Sequence, residues 1–219
     1  MIPFIARLAL FVGLTAGSVI RADHAIAAAV GAVLGLDRCA INGDAPPNTS
    51  YGGGMGLIAG VQGEFALGEN IALSLQPMYT QRSTTLTAAD SEEPSGEREL
   101  ELSLDYIAVP VVLKFGAAGG RTYVAGGMDI GFLTEARITG GGLDEDVTAS
   151  FQDVDVGAVL GFGVVFPIGR PRITSELRYV QGLVNLAGDE SGVIQDLPDR
   201  FHSSGWQLTA GILFPIGDR

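Results

Sequence analysis

Two features of the sequence predict an all-β fold, an eight-stranded antiparallel up-and-down barrel that crosses a membrane. Between Tyr51 and Phe214, segments of about 10 to 16 residues alternate apolar with small or polar side chains, and the connections between them are short and long in turn. The composition agrees: 47% of residues are hydrophobic, 17% are charged and 32 are Gly, which is too apolar for a disordered chain and too rich in Gly for a helical bundle. After residue 35 no apolar run approaches the roughly 18 residues of a spanning helix, so any membrane crossing is made by strands.

The first segment, residues 28–38, alternates Ala, Val and Leu with Gly and reads equally as a strand or a short helix. In the second, 54–67, Met55, Leu57, Ala59, Val61, Phe65 and Leu67 share one face, with Gln62 and Glu64 on the other. Gly68, Glu69 and Asn70 form a tight turn. The third segment sets Ile71, Leu73, Leu75, Pro77 and Tyr79 against Ser74, Gln76, Thr80 and Arg82, and a polar loop over 87–98 follows. The fourth, 99–115, alternates Leu100, Leu102, Leu104 and Tyr106 with Glu101, Ser103 and Asp105, then becomes apolar on both faces. The fifth, 121–138, has Val124, Met128, Ile130 and Phe132 on its apolar side, and residues 140–150 read as a long acidic loop.

The sixth segment, 153–166, is the clearest. Val154, Val156, Ala158, Leu160, Phe162, Val164 and Phe166 suit lipid, while Asp153, Asp155, Gly157, Val159, Gly161, Gly163 and Val165 suit a narrow interior. After the turn at Gly169, Arg170 and Pro171, the seventh segment opposes Ile173, Ser175, Leu177 and Tyr179 to Thr174, Glu176 and Arg178. A loop over about 186–203 leads to the eighth, where Trp206, Leu208, Ala210, Ile212 and Phe214 oppose Gln207, Thr209, Gly211 and Leu213. About 190 residues shared among eight strands leave about 24 for each strand and its connection, enough for the roughly 9 to 11 that cross a bilayer at a tilt. Short turns after even segments and long loops after odd ones match the periplasmic and outer ends of a bacterial outer-membrane barrel.

An eight-stranded barrel is filled by its own side chains, so no open pore is expected. Glu64, Gln76, Arg82, Asp105, Asp153, Asp155, Glu176 and Arg178 are the expected polar network of the lumen, because buried charges need partners. Residues 1–27 read as an export signal: Arg7, an apolar run over 8–20, and Ala25-Ile26-Ala27 as a small-x-small cleavage site, with a retained membrane anchor as the alternative. Residues 28–219 are then the barrel domain. Cys39, the single cysteine, excludes an internal disulfide and a cysteine zinc site, and Leu36-Asp37-Arg38 before it do not make a lipobox.

The formal net charge of −12, with one Lys and scattered Arg, argues against nucleic acid as a partner. The carboxylates gather in the expected loops: Asp90, Glu92, Glu93 and Glu97; Asp144, Glu145 and Asp146; Asp189, Glu190, Asp196 and Asp199. They read as solvated surfaces, with divalent-ion or partner binding as the alternative.

The stretches IALSLQPMYTQ (71–81), LDYIAVPVVLKF (104–115), SELRYVQGL (175–183) and LTAGILF (208–214) together resemble the PorT-like outer-membrane β-barrel family. The resemblance implies an integral eight-stranded barrel in the outer membrane of a Gram-negative bacterium, in contact with outer-membrane lipid, in a family whose members mostly lack an assigned biochemical activity. Thr209, Gly211, Phe214 and Ile216 also look like the carboxy-terminal signal read by the outer-membrane assembly machinery, although the chain continues to Gly217-Asp218-Arg219 instead of ending on an aromatic residue.

No catalytic residue, metal ligand or cofactor site is expected. His202 beside Ser203 and Ser204 has no third orienting group, Asp144-Glu145-Asp146 lacks the ligand spacing of a calcium loop, and Gly52–Gly54 and Gly140–Gly142 precede no Lys-Ser/Thr. The expected function is therefore non-enzymatic, a structural or surface-interaction role through four acidic extracellular loops. The alternatives are a soluble lipocalin-like carrier, with its apolar face turned inward around a ligand, and a lipid-modifying outer-membrane enzyme that uses His202.

Overall fold

The computed structural model describes residues 28–43, 49–89, 97–116, 121–186 and 201–217. Its strands are β1 (Ala28–Gly43), β2 (Thr49–Ala66), β3 (Ile71–Leu75), β4 (Met78–Ala89), β5 (Glu97–Gly116), β6 (Thr122–Gly140), β7 (Leu143–Asp146), β8 (Val154–Pro167), β9 (Arg172–Gly182) and β10 (Phe201–Ile216). All pairings are antiparallel, and β1 pairs with β10 to close a ring of eight staves. One stave is β3 continued by β4, interrupted at Gln76 and Pro77, and β7 is an added strand outside the ring.

The interruption follows from Pro77, which has no N–H for the ladder. Neighbouring backbone groups compensate: the Gln76 N–H donates to the Pro110 carbonyl at 3.1 Å, and the Val61 N–H donates to the Pro77 carbonyl at 3.0 Å. The register on both sides stays the same, so the stave keeps its inward face.

Strand stagger fixes the barrel's width. Register partners traced from Trp206 run through Tyr179, Leu160, Gly126, Leu113, Leu73, Phe65 and Ala28 to Ile216, ten residues further along β10. With rise and strand spacing typical of sheets, ten residues of stagger over eight strands give a tilt of about 40°. Such a barrel leaves space for side chains and little else.

The outer face carries the apolar residues. Leu160 is 73% exposed and Leu34 and Met55 are 65% exposed, values that make sense only where lipid replaces water. At the tilt just derived, Tyr79, Tyr179 and Trp206 fall at one level and Phe65, Phe115, Phe166 and Phe214 at another, about 20 Å lower, close to the ~25 Å band flanked by aromatic girdles in such barrels. The Tyr179 and Trp206 rings lie 5.1 Å apart.

Above the upper girdle β4, β5 and β6 run on for about ten residues, and there the facing rule inverts. Leu86, Leu100, Leu102, Leu104, Tyr106, Ala136 and Ile138 point inward and pack with Phe151 and Leu186. Glu99, Glu101 and Arg137 are exposed on the outside. Water surrounds this part of the molecule, so it is built like a soluble sheet.

A bulge produces the inversion on β6. Asp105 pairs with Glu135 and Tyr106 with Leu133, leaving Thr134 extra; its hydroxyl donates to the Asp105 carbonyl at 2.9 Å. Below the bulge Asp129 and Gly131 face inward, and above it Ala136 and Ile138 do. Without the extra residue Glu135 and Arg137 would enter the core.

Several sequence expectations are corrected by these elements. Residues 140–150 are not an open loop: β7 folds back onto β6, and a 3-10 turn at Thr148–Ser150 brings Phe151 into the apolar cluster. The first connection is shorter than expected because β1 reaches Gly43 and β2 begins at Thr49. Residues 28–38 are strand. The leader over 1–27 and the acidic residues Asp90, Glu92, Glu93, Asp189, Glu190, Asp196 and Asp199 lie outside the described residues.

Candidate functional site

Among the described residues the barrel's interior carries the densest polar chemistry, and every stave contributes to it. Toward the periplasmic end, Lys114 on β5 meets Glu64 on β2 at 3.2 Å and Glu176 on β9 at 3.8 Å. Tyr123 on β6 donates its hydroxyl to Glu176 at 2.8 Å and places its ring under the Lys114 ammonium, 4.8 Å from the centroid. Arg172, at the mouth, holds the other Glu64 oxygen at 3.1 Å.

The middle layer is organised by two buried guanidiniums. Arg178 on β9 donates to Gln207 Oε1 at 2.6 Å, to Gln76 Oε1 at 2.8 Å and to the Met78 sulfur at 3.4 Å; Glu176 lies at 3.8 Å. Gln76 passes the chain to Ser74 at 3.1 Å, and Gln207 passes it to Asp37 on β1 at 2.7 Å. Arg82 on β4 donates to Asp129 on β6 at 2.9 Å, to Asp155 on β8 and to Ser203 on β10 at 3.2 Å, and stands 4.8 Å from the Tyr106 ring. Ser203 in turn donates to Asp155 at 3.1 Å. Above this layer lies the apolar cluster.

Small residues make the room. A Cβ at Gly163 would stand 2.3 Å from the Tyr123 hydroxyl, and one at Gly211 would stand 2.3 Å from Gln62 Nε2. Both glycines are spaces filled by a large polar side chain from another stave, the adjacent β6 for Gly163 and β2, across β1, for Gly211.

Gln76, Arg82, Asp155, Glu176 and Arg178 are thus buried in contact with partners from other staves, and Glu64 joins them at the periplasmic mouth. Two expected lumen residues are elsewhere. Asp105 faces outward because β5 presents its even-numbered residues to the interior, and its odd-numbered face is apolar only from Ile107 to Phe115, the part that meets lipid. Asp153 is exposed ahead of β8, in the water-facing zone.

The sequence reading missed Asp37, Asp129, Lys114, Tyr123 and Ser203. Their signal was parity: each lies an even number of residues from an inward position on its own strand. At the end of β10, Thr209 is buried and donates to the Glu176 carbonyl at 3.4 Å, Gly211 faces inward, and Phe214 and Ile216 face outward beside the start of β1.

His202 and Ser203 project to opposite faces, and the Ser203 hydroxyl is held inside by Arg82 and Asp155. They form no nucleophile–base pair. Among the described residues no group of three or more His, Cys, Asp or Glu side chains is placed to hold a metal ion.

The family model for the outer membrane protein beta-barrel domain matches residues 21–188, most of the chain. The chain belongs to this family. It is an integral barrel of the outer membrane of a Gram-negative bacterium, in contact with the lipid of that membrane. The apolar face points outward, opposite to what a lipocalin-like carrier would need.

Among solved structures the barrel is similar to Neisserial surface protein A, with 13% identity over 85% of this chain and 97% of that one and a TM-score of 0.46. Ail, the attachment invasion locus protein of Yersinia pestis, solved with the heparin analogue sucrose octasulfate, gives 14% identity, 85% and 99% coverage and a TM-score of 0.43. OprG from Pseudomonas aeruginosa gives 10%, 89% and 97%, and 0.46. No curated protein sequence matches the chain.

Proposed function

We propose that the protein is a non-enzymatic, non-conducting outer-membrane barrel that acts as a structural or surface-interaction protein through its extracellular end. One observation carries the reading: polar side chains from all eight staves meet in the lumen, under an apolar cluster whose members are at most 7% exposed. A filled lumen removes the passage that a pore needs, which leaves the outer surface as the working part. The outward carboxylates of the raised sheet and of the β6–β7 hairpin, among them Glu99, Glu101, Asp144, Glu145 and Asp146, give that surface its acidic character.

Residues 1–27 act in this proposal as the export signal, and Thr209, Gly211, Phe214 and Ile216 as the assembly signal. Within that family, the stretches 71–81, 104–115, 175–183 and 208–214 support a PorT-like reading. Purified protein reconstituted in a planar bilayer is expected to give no stepwise conductance, whereas reproducible single-channel steps from the unmodified protein would overturn the proposal.

A further inference from the structure

The two polar layers of the lumen differ in their charge balance. In the periplasmic layer, Glu64 and Glu176 face Lys114 and Arg172, two negative groups against two positive. In the middle layer, Asp37, Asp129 and Asp155 face Arg82 and Arg178, three against two. Arg82 is committed to Asp129 and Asp155, while Arg178 spends its donors on Gln207, Gln76 and Met78. Asp37 is therefore the carboxyl without a cation in contact; it is 2% exposed and has only the Gln207 amide on Oδ2. Its Oδ1 is inaccessible and has no hydrogen-bond partner.

Beside it lies a cavity of about 10 Å³ lined by Asp37, Cys39, Arg82, Ser203 and Gln207, among others. That volume holds about one water molecule. An unpaired ionised carboxylate at this depth is costly, so the layer must gain one positive charge or lose one negative one. Arg82 lines the same cavity, and its positive charge would repel a metal cation placed there. A proton on the carboxyl needs no further space, and the O–H it creates requires an acceptor that a single water supplies.

We infer that the middle layer is a binding site for one proton and one water, with the proton on Asp37 and the water in the adjoining cavity. The groups facing Asp37 are consistent with that location. Cys39 on its own strand, Gln207 and Ser203 on β10, and Gln76, which reaches Arg178, are uncharged, and β2 turns Ile58 and Gln62 inward. Arg82 on β4, Asp129 on β6, Asp155 on β8, and Arg178 and Glu176 on β9 are all engaged elsewhere, and β5 offers the Tyr106 ring.

Infrared spectroscopy of the folded full-length protein in lipid at neutral pH tests this. The unmodified protein is expected to give the carbonyl stretch of one buried carboxylic acid, shifted by deuterium exchange, and Asp37→Asn is expected to remove it while Asp155→Asn leaves it. Absence of the band from the unmodified protein, or its loss in Asp155→Asn and not in Asp37→Asn, would overturn the inference. A second measurement needs no variant: replacing sodium by choline at constant ionic strength should leave the unfolding midpoint unchanged, and a sodium-dependent rise would show that a metal cation supplies the missing charge.

Discussion

The half of this barrel within the membrane and the half that rises beyond it use the same strands with opposite linings. Within the membrane Leu34, Leu160 and Phe162 face out and Asp37, Glu176 and Arg178 face in. Above it Glu101 and Arg137 face out and Leu102, Leu104 and Ile138 face in. Each half turns toward its surroundings whatever that solvent tolerates and buries the remainder. The membrane half is held by directional ion pairs, and the half beyond it by non-directional packing.

The difference can be broken from either side. The largest effect is expected at Arg82, where Arg82→Met leaves Asp129 and Asp155 buried without a cation and should cost about 3–5 kcal/mol, read as a drop in urea unfolding free energy in lipid. Leu102→Ala, in the apolar cluster, is expected to cost about 2–5 kcal/mol by the same measurement, since its side chain is fully buried. On the outer face Leu160→Arg, close to mid-bilayer, should cost about 2–4 kcal/mol, whereas Glu101→Arg above the membrane should change stability by no more than about 0.5 kcal/mol. Equal costs for the last two would erase the distinction between the halves.

The smallest expected effect is at the hairpin. Asp146 accepts from the Thr148 hydroxyl at 2.6 Å and from its N–H at 2.9 Å, and these bonds hold its carboxyl below the usual range. A depressed folded-state value means that the contribution is present above the unfolded value near about pH 4 and is lost as pH falls through the folded one. The hydrogen-exchange protection factor of the Thr148 amide, the observed rate corrected for the intrinsic rate at each pH, should fall on acidification across that window, and Asp146→Ala should show the low protection at every pH.

The sequence made β2, β8, β9 and β10 legible because their alternation is unbroken and their apolar side meets lipid along most of its length. Alternation alone puts Asp105 in the lumen because it assigns every apolar face to lipid, whereas Leu100, Leu102 and Leu104 stand in the water-facing zone where the rule reverses. Thr134 could not be read as a bulge, since an extra residue leaves no mark in composition and flips the facing of Ala136 and Ile138. Asp37 lay in the weakest segment, and its burial depends on Gln207 from the far end of the chain. The lumen network is legible as a class of residues on inward positions; its pairings arise from stagger between strands, which no single strand encodes.

The reversal at the upper girdle is most directly tested by labelling with a water-soluble, membrane-impermeant maleimide on intact cells, in a Cys39→Ala background. Glu101→Cys should react readily and the adjacent Leu102→Cys should not, because the first is exposed to water and the second is fully buried in the apolar core. Reaction at Leu102→Cys with protection at Glu101→Cys would contradict the account.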